Sequence, residues 1–96
     1  MSLNRIQLGF LRGKADSLTP VVTVGNAGLS EAVMAEVEFA LTLLELIKIK
    51  VGSDDRDLRN SMYAEICERT SAVPVQQIGK MVVIYREGGK SRITLP

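Results

Sequence analysis

Histidine is absent from all 96 residues. Its absence removes the commonest general base and the commonest metal ligand together. Cysteine occurs once, as Cys67, so the chain can form no internal disulfide and cannot build a zinc site from thiolates. Cys67 falls within a helical pattern, where a partly buried, inert thiol is expected rather than a nucleophile. No apolar run reaches the length of a membrane span. The N-terminus lacks the basic-then-apolar order of a secretory leader, which gives the cytoplasm as the expected compartment. Carboxylates are plentiful, but they lie on periodic helical segments where a solvated face is their expected role. No catalytic site, metal or cofactor is therefore expected.

What is present suits one small domain spanning residues 1–96. A chain of this length buries roughly 60–70% of the surface its unfolded form exposes, and 46% of its residues are apolar. The formal net charge of +1 conceals a segregation. Arg5, Arg12 and Lys14 outnumber Asp16 in the first segment. The next carries Glu31, Glu36, Glu38 and Glu45 with no cation. Lys48 and Lys50 follow, then an acidic stretch, and the last segment sets Lys80, Arg86, Lys90 and Arg92 against Glu87. Acidic helices and basic strands can give a nearly neutral protein one basic face, as nucleic-acid binding requires.

The chain is organised around Val21 to Glu31. Val21, Val22, Thr23 and Val24 are β-branched and favour extended backbone. Gly25-Asn26-Ala27-Gly28 then forms a loop whose glycines permit positive φ and leave its backbone open to a close approach. Ser30 is a good N-cap for the helical run that follows, with Leu29 and Met34 placed as a hydrophobic staple. A loop of this kind delivers backbone N–H groups and a helix N-terminus to one place, which suits a phosphate. It holds no Lys or Arg, so it can position a nucleic-acid backbone without supplying charge. Two glycines three apart can equally be turn chemistry alone.

Before this stretch, Leu3, Ile6, Phe10, Leu11, Ala15 and Leu18 recur at helical spacing over 3–18, ended by Thr19-Pro20. After it, Val33, Val37, Ala40, Leu41 and Leu44 predict a helix over about 31–45, with Glu31, Glu38, Thr42 and Glu45 on its polar side. Leu46 to Val51 alternates with period two, Ile47, Ile49 and Val51 facing one way and Lys48 and Lys50 the other. Gly52-Ser53 breaks the chain, and Ser53 or Asp54 can cap a helix over about 55–69 with Leu58, Met62 and Ile66 as its buried line. Val73–Ile78 and Met81–Tyr85 read as a hairpin about Gly79-Lys80, with a type II′ turn, Pro74 requiring a strand start or an edge. Residues 86–92 read as a mobile basic loop, and Ile93 to Pro96 as an extended end that tucks back. The order α-β-α-β-α-β-β gives a two-layer α/β sandwich: a mixed sheet of about four strands with helices on one face.

Leu11-Arg12-Gly13, Pro20-Val21-Val22, Gly25-x-x-Gly28-Leu29, Glu45-Leu46-Ile47-Lys48-Ile49-Lys50, Asp55-Arg56, Ile78-Gly79-Lys80 and Ile84-Tyr85-Arg86 stand in an order and spacing that closely resemble the CRM domain (chloroplast RNA splicing and ribosome maturation) in its bacterial stand-alone YhbY-like form. The resemblance implies a fold similar to the C-terminal domain of translation initiation factor three. It implies a non-catalytic RNA-binding protein, expected as a monomer, that associates with precursors of the large ribosomal subunit. The candidate RNA contacts are Gly25, Asn26, Ala27 and Gly28 in the loop, Lys48 and Lys50 on the strand, and Arg12, Lys80 and Arg86. A module that binds a ribosomal protein or assembly factor, through exposed Leu43, Leu44 or a sheet edge, is the alternative.

Overall fold

A computed structural model describes residues 2–88 and 93–96. Its elements are α1 (Arg5–Ala15), β1 (Pro20–Val24), α2 (Glu31–Leu44), β2 (Leu46–Val51), α3 (Arg56–Thr70), β3 (Val73–Ile78) and β4 (Met81–Tyr85). The strands form one sheet in the order β1-β2-β4-β3. β1 and β2 are parallel, and β4 is antiparallel to both its neighbours. The predicted order and the mixed four-stranded sheet are both present.

Each helix begins where its side chains supply acceptors. Asn4 and Gln7 form a reciprocal capping box that starts α1. Ser30 accepts the Val33 N–H at the start of α2, with Leu29 and Met34 both packed in the core below. Asp55, rather than Ser53 or Asp54, caps α3, accepting from Asp57 and Leu58, while Ser53 braces it through the Asp55 N–H.

The layering departs from the expectation that all helices share one face. α2 and α3 cover the face formed by Val22, Val24, Ile47, Ile49, Val51, Val82 and Ile84. α1 packs on the opposite face, where Leu11 and Ala15 meet Leu46, Val75, Val83 and Tyr85. Leu3, Leu18, Ile93 and Leu95 complete this second cluster, and Gln7 donates to the Pro96 carbonyl at 3.2 Å. The cause lies in β2 and β4: Leu46, Val83 and Tyr85 are apolar on the lysine side, and they need cover. Leu3 and Leu18 belong to that cover although α1 is shorter than the 3–18 periodicity predicts.

Three further residues stand differently from their sequence pattern. Leu44, expected in the core, is 43% exposed, and Glu45, expected on the polar side, is 1% exposed. The helix ends between them, and Glu45 turns to φ 67°. Its carboxylate then accepts the backbone N–H groups of Gly88 and of Ile93, and its carbonyl accepts the Arg86 N–H. A Cβ on Gly88 would stand 2.7 Å from the Glu45 carboxylate, so glycine is what allows the approach. Leu58 is likewise exposed, because the buried stripe of α3 runs through Met62, Tyr63 and Ile66 and its preceding turn falls on Arg59.

β3 is an edge strand, as Pro74 requires, and it carries a bulge between Pro74 and Gln76. The Tyr63 hydroxyl enters the bulge, accepting the Val75 N–H at 3.1 Å and donating to the Val83 carbonyl at 2.7 Å, with the Gln76 carbonyl an alternative acceptor. Arg12 reaches the same bulge, its Nε donating to the Val75 carbonyl at 3.0 Å. The hairpin turn has positive φ at Gly79 but not at Lys80, as a type II′ turn needs.

Candidate nucleic-acid interface

The C-terminal ends of β1 and β2, the β3–β4 turn and the starts of α2 and α3 meet at one end of the sheet. The Gly25–Gly28 loop lies there. It closes through Gly28 N–H to the Gly25 carbonyl at 3.0 Å. Gly28 holds φ +71°, so the turn itself requires that glycine. Gly25 has no such need: a Cβ there would meet nothing within 4 Å. Asn26 and Ala27 are exposed. The first residues of α2, Glu31 and Ala32, have no intrahelical acceptor for their N–H groups, so the helix start adds donors beside the loop.

Lys50 is exposed and Lys48 half-buried on the α1 side of the sheet. α1 and the chain end cover only the Leu46–Tyr85 half of that face, leaving Lys50 and its cross-strand neighbour Met81 at the open half. Neither lysine enters an ion pair among the described residues. Lys48 lines a cleft of about 130 Å³ together with Asp16, Gln76, Ile78, Met81 and Val83. Lys80 stands on the hairpin at the loop's end of the sheet and pairs with Asp54 at 2.7 Å. That hydrogen bond and charge hold the Asp54 carboxyl below the usual carboxylate range.

The structure turns Arg86 away from this surface. Arg12 stays exposed on the α1 side, with its Nε engaged at the β3 bulge. Arg86 follows Tyr85 by one residue and so turns to the other face. There it holds the Glu38 carboxylate at 2.9 and 3.0 Å, the Thr70 carbonyl at 2.9 Å and the Thr42 hydroxyl at 3.2 Å. It joins the last turns of α2 and α3, and it is not part of a loose loop. Lys90 and Arg92 lie outside the described residues. Two further arginines stand close by: Arg56 and Arg59 line a groove of about 330 Å³ with Asn60, Gln77 and Gly79. Their spacing of three at a helix start was the available signal. Arg59 also donates to the Ser53 carbonyl at 2.9 Å. The acids Asp54, Asp55 and Asp57 border the same turn, so the cations there do not form an unopposed patch.

No group of three or more His, Cys, Asp or Glu side chains among the described residues could hold a metal ion. Cys67 is half-buried, and burial pushes its thiol up to about 11, away from nucleophilic use. None of the described helices is long and apolar enough to cross a membrane.

With this geometry in place, the chain matches the CRS1 / YhbY (CRM) domain over residues 3–86. It belongs to the CRM domain family. A Haemophilus influenzae relative named "RNA-binding protein" is 43% identical over 95 residues, covering 99% of this chain and 96% of its own. A Pseudomonas aeruginosa relative named a "Probable RNA-binding protein" is 39% identical, covering 94% and 86%. Among solved structures, a Staphylococcus aureus protein described as a candidate RNA-binding protein superposes with a TM-score of 0.86 at 32% identity, over 99% of this chain and all of that one. The CRM match includes the loop, the two strand lysines, Lys80 and Arg86.

Proposed function

We propose that this CRM domain is a non-catalytic RNA-binding protein in which the Gly25–Gly28 loop receives the RNA backbone and Lys48 and Lys50 supply the positive charge. The observation that carries the reading is the loop: exposed main chain at a helix N-terminus, with a glycine at position 25 that neither packing nor φ demands. Unpaired lysines on and beside the open half of the sheet, and relatives named for RNA binding, support it. The finer reading follows the family resemblance: a cytoplasmic monomer, one domain over 1–96, acting on ribosomal RNA of large-subunit precursors. Lys80 contributes from the hairpin and Arg12 from α1, while Arg86 acts through the fold that positions the surface.

The test is RNA affinity and melting temperature for Asn26→Asp combined with Ala27→Asp. Both side chains are exposed, so the melt should stay near wild type while affinity falls steeply through repulsion of phosphate. Full affinity in the folded double variant would mean that the glycines serve only the turn.

One observation favours a second reading, a module that binds a ribosomal protein or assembly factor. Phe39 is 72% exposed on α2, with Leu43 and Leu44 also exposed, and apolar exposure of this kind marks interaction surfaces. Salt separates the two readings: RNA affinity falls steeply with salt, and an apolar contact is nearly indifferent to it.

A further inference from the structure

The cleft beside Lys48 has a composition that plain backbone binding does not use. Val83, Met81 and Ile78 give it apolar lining, and Asp16, Gln76 and Lys48 line it with polar groups. Ile78 is 64% exposed, an aliphatic side chain left uncovered at the rim. Asp16 and Lys48 line the same space and form no ion pair among the described residues. Each therefore keeps its hydrogen-bonding capacity for something between them. At about 130 Å³ the cleft is well below the roughly 300–1,000 Å³ of sites that enclose a whole small molecule. It suits a single planar ring system inserted edge-first.

We propose that this cleft receives one unpaired guanine of the bound RNA. The proposal rests on the RNA-binding reading and adds the base that is read. An unpaired base in RNA offers its faces to apolar side chains and its edges to hydrogen bonds. Ile78 and Met81 supply apolar surface for the ring. An ionised Asp16 carboxylate only accepts, so it selects a base with adjacent donors. Guanine presents two, N1–H and the N2 amino group, next to the O6 acceptor that the Lys48 ammonium can take. Adenine and cytosine offer only an exocyclic amino group with acceptors beside it, and uracil offers a single N–H flanked by carbonyls. Gln76 can donate or accept and does not discriminate. The phosphate attached to the inserted base then lies towards Lys50 on the open half of the sheet.

The experiment measures fluorescence anisotropy of short single-stranded oligouridylates carrying one central guanine, inosine, adenine or cytosine, with the full chain and with Asp16→Asn. Wild type should bind the guanine oligonucleotide about tenfold more tightly than the adenine or cytosine ones, the range of one bidentate base contact. Inosine, which lacks the N2 amino group, should lose most of that advantage. Asp16→Asn should erase the guanine preference while leaving the melting temperature and the adenine affinity at or above wild type. Equal binding of all four by wild type, or a guanine preference that survives Asp16→Asn, overturns the assignment and leaves the RNA-binding reading standing. Absence of binding to every oligonucleotide at low salt overturns both.

Discussion

Tyr63 occupies a place where the sheet cannot satisfy itself. The bulge in β3 displaces Val75 from the ladder, and one hydroxyl from α3 takes up its N–H and the Val83 carbonyl. Tyr63→Phe should therefore cost about 1–3 kcal/mol, the penalty for leaving buried polar groups unmatched, seen as a lower urea midpoint. Burial raises the phenol to about 12 from 10.0. The folded chain thus holds the neutral form while the unfolded chain ionises, so the Tyr63 contribution is intact below pH 10 and is lost as pH climbs towards 12. Burial raises Tyr85 in the same direction, and Cys67, raised from 9.0 to about 11, begins its own loss at a lower pH. Tyr63→Phe should make the fall of stability with pH shallower, and an unchanged slope would mean that Tyr63 contributes nothing to it. None of this is legible in the sequence, because a bulge arises from the pairing of two strands and no local pattern marks its tyrosine. The loop glycines were legible, since Gly28 needs its φ and neighbours of its type announce a turn. Arg86 shows the opposite case: a cation that reads as a ligand contact holds a carboxylate that only the fold brings near.

At the scale of elements, α2 is the best-marked piece of the chain, and Val37 and Leu41 are fully buried beneath it. Leu41→Ala should cost about 2–5 kcal/mol, the range for core truncations, and a calorimetric or urea midpoint equal to wild type would contradict the assignment. Period 3.6 located α2 and period two located β2 because one side of each meets a continuous core. The layer of α1 does not follow from its period. Periodicity says which side of a helix is apolar but not which side of a sheet receives it. The deciding residues were Leu46, Val83 and Tyr85, apolar on the side that the lysines share. Helix ends also escaped the pattern: Leu44 continues the stripe in sequence, yet the chain turns at Glu45 before that stripe can be buried.

Across the whole molecule the face opposite α2 and α3 is only half covered, with Lys50 exposed on the open half and Lys48 half-buried at its margin. Replacing both by alanine should leave the melt nearly unchanged, since neither lysine pairs with an acid among the described residues. RNA binding should weaken, and the slope of log affinity against log salt should flatten by about 0.7 for each lost contact to a single strand. An unchanged slope would make them solubility charges. The Glu45 carboxylate has a different consequence. It accepts the N–H groups of Gly88 and of Ile93, so one side chain just past the end of α2 fastens the chain after β4 and again near its last residues. Ile93 and Leu95 are part of the cover on the α1 side of the sheet, so that cover and the turn out of α2 share one carboxylate. Glu45→Gln should lower the melting temperature, because a neutral amide grips the two N–H groups less well. Leu95→Ala in that background should then cost less than in wild type, since the segment it anchors is already loosened; equal melting losses in the two backgrounds would show that the chain end is held by something other than Glu45.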